Sequence, residues 1–115
     1  TRKLKKKTQV FRSAWIGDYN DATTFLDIMH STHGQNDTGW SNPRYDALLA
    51  QAAAETDAVR RRAMLEEAER ILLSELPYIP LTFYTSKNLV KPWVRQWQDN
   101  ILDYHYSRDM RIEGY

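Results

Sequence analysis

Trp15-Ile16-Gly17-Asp18-Tyr19-Asn20-Asp21, "WIGDYND", ends an apolar run on a glycine and follows it with three polar side chains around a tyrosine. Upstream, Gln9-Val10-Phe11-Arg12-Ser13-Ala14-Trp15-Ile16 reads as a strand. Val10, Phe11, Trp15 and Ile16 favour extended backbone, and Gly17 stops the run. Its apolar positions do not alternate strictly, as expected of a strand covered on both faces. Downstream, residues 22–30 read as a short helix with Phe25, Leu26, Ile28 and Met29 on its apolar side. Asp21 or Thr23 can cap it. A strand that turns into a helix at this corner points to an α/β fold.

The rest of the chain extends that order. Residues 31–41, "STHGQNDTGWS", are a loop by composition. Asn42-Pro43 opens a second helix, with Asn as the cap and Pro at the first helical position. Tyr45, Leu48, Leu49 and Ala52 recur as one stripe along it. Asp57 caps a third helix over residues 58–74, which Pro77 stops. Val59, Ala63, Leu65, Ala68, Leu72 and Leu76 mark its apolar side. Arg60, Arg61, Arg62, Glu66, Glu67, Glu69 and Arg70 mark a solvated one. Glu66 and Arg70 form an i,i+4 pair in the favoured order, worth about 0.3 kcal/mol. Ile79, Leu81 and Phe83 then alternate with Tyr78, Thr82 and Tyr84 in a strand, which Pro80 places at a sheet edge or near the strand's start. Residues 89–94 are a second extended segment, and an aromatic tail runs from Trp97. Only two strands are firm, about 60 residues apart in the sequence. A stable sheet needs more, so the chain reads as the closing segment of something larger.

Composition narrows the function. The 115 residues amount to about one domain's worth of chain, with charged residues about a quarter of them. No apolar run approaches the roughly 18 residues that a bilayer span needs. There is no cysteine, hence no disulfide or thiolate metal site. The start carries no apolar signal-peptide core. A net charge of +1 hides an asymmetry. Arg2, Lys3, Lys5, Lys6 and Lys7 sit in residues 1–9, leaving 11 basic residues against 15 acidic elsewhere. Such a basic arm suits a small nucleic-acid-binding module, but a body of net negative charge repels phosphate. The spacing His30-x-x-His33, with Asp27 or Asp37 nearby, is too thin to assign a metal, and none is expected. No nucleophile elbow, phosphate loop or zinc-protease helix is present, and no cofactor is implied.

Open α/β sheets take ligands just beyond the carboxyl ends of their strands. Asp18 stands at such an end, beside Trp15. Two roles stay open for it. One is a turn residue that satisfies backbone N–H groups. The other is a receptor for a cation such as an amine.

"WIGDYNDATTFLDIMHS", "GWSNPRYDALLAQAAAETD" and "RRAMLEEAERILLSELPYIPLTFYTSKNLVKPWV" resemble, in order and spacing, the C-terminal portion of the periplasmic oligopeptide-binding proteins of bacterial ABC importers. The likeness covers nearly the whole chain. Its markers are Gly17-Asp18-Tyr19-Asn20, Asn42-Pro43 with Tyr45-Asp46, Leu76-Pro77 with Ile79-Pro80, and Leu89 to Trp93. It implies a bilobal α/β periplasmic protein, not an enzyme, that closes around an extended peptide and delivers it to a membrane permease. Residues 10–76 would then belong to the C-terminal lobe, and residues 77–115 would return to the N-terminal lobe. The resemblance implies that Asp18 pairs with the ligand α-amino group, that Trp15 lines a pocket, and that Gly17 lets the backbone turn and approach the ligand. Ile16 stands where some members carry a cysteine, so their disulfide is not expected. Without the rest of such a protein, the chain is expected to self-associate or exchange elements between copies.

Overall fold

Three helical segments carry the core, and two of them start where a side chain caps the first turn. A computed structural model describes residues 10–114. The basic arm and Tyr115 lie outside the described residues. The first helix, α1, spans Thr23–Leu26 and tightens at once into a 3₁₀ turn, Asp27–Met29. Asp21 supports its start: Oδ1 accepts from the Thr23 backbone N–H at 3.0 Å. Helix α2 spans Pro43–Ala54. Asn42 Oδ1 accepts from the N–H groups of Arg44 and Tyr45, and Pro43 needs no partner there. Helix α3 spans Ala58–Glu75, with Asp57 Oδ1 accepting from the Arg60 N–H. Caps of this kind contribute about 1 kcal/mol each. At the far end Leu76 takes a left-handed conformation, φ 48°, and its N–H returns to Leu72 O; Pro77 then blocks continuation.

Helices α2 and α3 form an antiparallel hairpin, and α1 packs against α3. The buried apolar side chains are Leu26, Met29, Tyr45, Leu49, Ala52, Leu65, Ala68 and Leu72. Periodicity places most of them correctly, because stripes at i, i+3, i+4 must face the neighbouring helix. Phe25 of α1 and Val59, Ala63 and Leu76 of the α3 stripe are corrections: all four are exposed, Val59 in the first turn of α3 and Leu76 past its last. The expected Glu66–Arg70 pair is also replaced. Glu66 pairs with Arg62, and Glu67 holds both Arg44 of α2 and Arg70. Glu67 is the better partner because it faces α2, so one carboxylate serves two cations.

Beyond Leu72 the core stops. Among the described residues, none from 77 to 114 is buried. Of the strand read from sequence over residues 9–16, the described part, 10–16, forms no ladder, and neither does the strand read over 78–85. A strand needs a neighbouring strand to complete its ladder, and among the described residues neither segment has one. The sheet that forms is a two-stranded antiparallel ladder between β1, Val94–Arg95, and β2, Arg111–Ile112. Asp103 ties the surrounding tail together: it accepts from Asn88 Nδ2 at 3.2 Å and sits 2.7 Å from His105 Nε2. The His105 ring stacks on Trp97 at 3.7 Å. Hydrogen bonds from Ser86 and then His105 hold the Asp103 carboxyl below its usual range.

The radius of gyration is 18.9 Å. A compact domain of this length has about 13 Å. Phe83 is 98% exposed and Leu81 80%. Helices on one side and extended, unpartnered segments on the other make this an α/β segment whose sheet is incomplete.

Candidate functional site

The WIGDYND corner is organised from both ends. At Gly17 a Cβ would lie 3.0 Å from Phe25 Cζ and 3.2 Å from Thr24 Cγ2. Contacts that short are tighter than most real Cβ contacts, so any larger residue here would push the Phe25 ring or the Thr24 methyl aside by a few tenths of an ångström. The Asp18 N–H donates to Thr24 Oγ1 at 2.9 Å, using a buried hydroxyl that helix periodicity treats as an ordinary helical threonine. Tyr19 Oη lies 3.3 Å from Thr23 Oγ1.

Asp21 closes the other end. Its Oδ1 accepts from the Thr23 N–H and hydroxyl, at 3.0 and 2.8 Å. Arg61 of α3 grips both carboxylate oxygens, Nη1 to Oδ2 at 2.7 Å and Nη2 to Oδ1 at 2.8 Å. The pair is partly sheltered, each side chain 31% exposed. Two parallel N–H···O bonds fix direction as well as distance. The Arg61 guanidinium, and next the Thr23 N–H, hold the Asp21 carboxyl far below the usual carboxylate range, and the same pairing raises Arg61. Arg61 is the residue that sequence reasoning missed: it was placed on the solvated face of α3, and no local pattern signals a partner 40 residues away.

The sign of the Asp21 effect gives a test. A carboxyl depressed in the folded state stabilises the fold above its unfolded value of 3.8, and that stability is lost as pH falls through the folded value. Wild type is therefore expected to be more stable than Asp21→Asn at neutral pH, with the gap closing from about pH 5 towards about pH 2. Thermal melts of both proteins across that range check it; a gap independent of pH contradicts the pairing.

Asp18 differs. Its side chain is exposed and, among the described residues, its carboxylate accepts no hydrogen bond and joins no ion pair. Trp15 precedes it on the same exposed segment, 37% accessible. The structure thus places Trp15, Gly17 and Asp18 on one corner. The close approach that Gly17 permits is to α1.

The histidines are occupied locally. His30 Nδ1 accepts from the Thr32 N–H at 3.2 Å, and His33 Nδ1 from the Gln35 N–H at 3.2 Å. They line an open cleft of about 340 Å³ with Asp27, Thr32 and Gly34. Among the described residues no three potential ligands converge as a metal would need. A second open cleft, about 490 Å³, lies along Thr82–Lys87. Neither touches Trp15, Gly17 or Asp18. No helix among the described residues is long and apolar enough to cross a membrane.

No family model matches the sequence. Individual proteins do. The periplasmic murein peptide-binding protein MppA of Escherichia coli is 42% identical over 104 residues, 90% of this chain and 19% of that protein. The oligopeptide-binding protein OppA of Bacillus subtilis is 44% identical over 78 residues, 67% of this chain and 14% of that protein. A probable deoxycholate-binding periplasmic protein of E. coli, YgiS, is 38% identical over 105 residues, covering 90% and 20% of the two chains. A solved structure of E. coli MppA superposes with a TM-score of 0.75 at 38% identity, over 88% of this chain and 20% of that one. The chain spans about a fifth of the length of the relatives it matches. Over nine-tenths of its length, then, it is a homologue of the periplasmic oligopeptide-binding proteins and an α/β part of that fold.

Proposed function

We propose that the chain is the C-terminal part of a periplasmic peptide-binding protein of an ABC importer, and that Asp18 receives the α-amino group of the peptide. The observation that carries this is the unequal treatment of two carboxylates in one loop. Asp21 is saturated by Thr23 and Arg61, whereas Asp18 does no structural work through its side chain. Its backbone is anchored through Thr24, so the carboxylate is presented without being consumed. An exposed carboxylate on an anchored backbone, three residues along from a tryptophan, suits an ammonium group at the end of an extended ligand. The chain acts by binding and delivery, not by catalysis. Residues 10–76 belong to the C-terminal lobe and residues 77–115 return to the N-terminal lobe. The end of the core at Leu72 and the exposure of 77–114 support this division. The place of action is the periplasm and the receiving partner is the importer's permease.

The test is peptide binding by the complete protein, with each peptide offered free and N-acetylated. Asp18→Asn is expected to abolish the preference for the free amine. Equal losses for both peptide forms would sink the assignment.

Exposed Leu81, Phe83 and Leu89 make a second expectation. Expressed by itself, the chain buries these side chains by self-association or by exchanging elements between copies. Light scattering is expected to give more than one chain's mass, and a well-behaved monomer contradicts this.

A further inference from the structure

We infer that Arg61 and Asp21 are positioning residues for the ligand amine: their ion pair sets the loop from which Asp18 reaches it. This rests on the reading of Asp18 given above and adds a residue on a different helix. The geometry is a chain of short links. Asp57 caps α3, and the Arg61 N–H returns to Asp57 O, so the arginine leaves a well-formed first turn. Its fork engages both oxygens of Asp21. Asp21 in turn holds Thr23 at the start of α1, and the next residue, Thr24, receives the Asp18 N–H. Gly17 lies against Thr24 and Phe25 on the other side. The Asp18 backbone is therefore located by α1, and α1 is located on α3 by an ion pair that fixes angle as well as distance. A carboxylate that pairs with an ammonium must be held to about half an ångström to keep a short charged hydrogen bond. Leu26 and the Tyr45 hydroxyl hold the far end of α1 in the core, and the arginine from α3 adds a constraint at its start, next to the loop.

The pair also keeps the charges apart in function. Arg61 gives one N–H to each Asp21 oxygen, and among the described residues Asp18 shares in no ion pair. Asp18 is left to meet a cation from outside.

The readout is the ratio of dissociation constants for an N-acetylated peptide and the same peptide with a free amine, measured by calorimetry on the complete protein. Arg61→Met is expected to lower that ratio by about tenfold, through weaker binding of the free amine. Arg61→Lys keeps the charge but loses the two-pronged grip, and is expected to fall between wild type and Arg61→Met. Asp18→Asn is run beside them. Should Asp18→Asn leave the ratio intact, the amine reading itself is wrong. Should Asp18→Asn collapse the ratio while both Arg61 variants keep the wild-type value, the amine reading stands and the positioning role is overturned. A lower melting temperature with an unchanged ratio also overturns it, because that is what a purely structural ion pair does. If Arg61→Met does not fold, Arg61→Lys decides by the same criterion.

Discussion

Tyr45→Ala is expected to destabilise the fold by about 3–5 kcal/mol, the range for removing a large aromatic side chain from a core. Tyr45 is fully buried on α2. Its ring meets Trp40 edge-on at 5.0 Å, and its hydroxyl donates to Leu26 O at 2.6 Å where α1 tightens into the 3₁₀ turn. Burial pushes the phenol well above its usual range, so the group stays a neutral donor at any physiological pH. One side chain therefore joins the loop before α2, the end of α1 and the hairpin core. Tyr45→Phe separates the two contributions. It keeps the ring and leaves the buried carbonyl short of a donor, a cost of about 1–3 kcal/mol. Domains of this size have only about 5–15 kcal/mol in hand, so the alanine variant is expected to unfold at far lower urea. Denaturant unfolding followed by circular dichroism checks both. Equal midpoints for the two variants would mean that the hydroxyl alone carries the effect and that the core around the ring is loose.

The reach of the sequence reading follows the range of the interactions. Asn42, Asp57 and the stripe of Tyr45, Leu49 and Ala52 were legible because a cap and its N–H groups, or successive turns of a helix, are only a few residues apart. Glu66 was assigned the wrong arginine because i,i+4 spacing is open to it on both sides, and the presence of α2 settles which carboxylate gains more. The segments read at 9–16 and 78–85 have strand-forming residues, yet strand formation depends on neighbouring strands that the described residues do not supply. At the site, the presence of a carboxylate without a local task was legible, since Asp21 and Thr23 sufficed to start α1. The partner that occupies Asp21 was not legible: Arg61 lies 40 residues on, and its spacing from the loop obeys no periodic rule. Gly17 was read as freedom to turn. Its φ is unremarkable, and the contact it allows is with Thr24 and Phe25.

Asp18→Asn is expected to weaken a peptide with a free amine by roughly 100-fold in the complete protein, in the lower part of the range for removing one partner of a sheltered charge pair. The acetylated peptide is expected to change by less than about threefold, since a neutral amide hydrogen bond is worth only about 1 kcal/mol and asparagine retains an acceptor. The size of the difference depends on closure. On the described segment the carboxylate faces solvent, where such a pair gains at most about 1 kcal/mol. Once a second lobe covers the peptide and expels water, the same pair is worth several times more, because the attraction is no longer screened. The two settings separate in one experiment. In the complete protein the free-amine preference is large, and Asp18→Asn removes it. In the isolated chain the preference is small for wild type and variant alike. A large preference in the isolated chain would place the whole recognition site on residues 10–114. Raising ionic strength adds an independent check. A pair enclosed between lobes responds weakly to salt, whereas an open one weakens steadily as the Debye length shrinks from about 8 Å at 0.15 M to about 3 Å at 1 M. Retention of the preference at high salt in the complete protein, together with its loss in Asp18→Asn, is the combined result that an enclosed amine anchor requires.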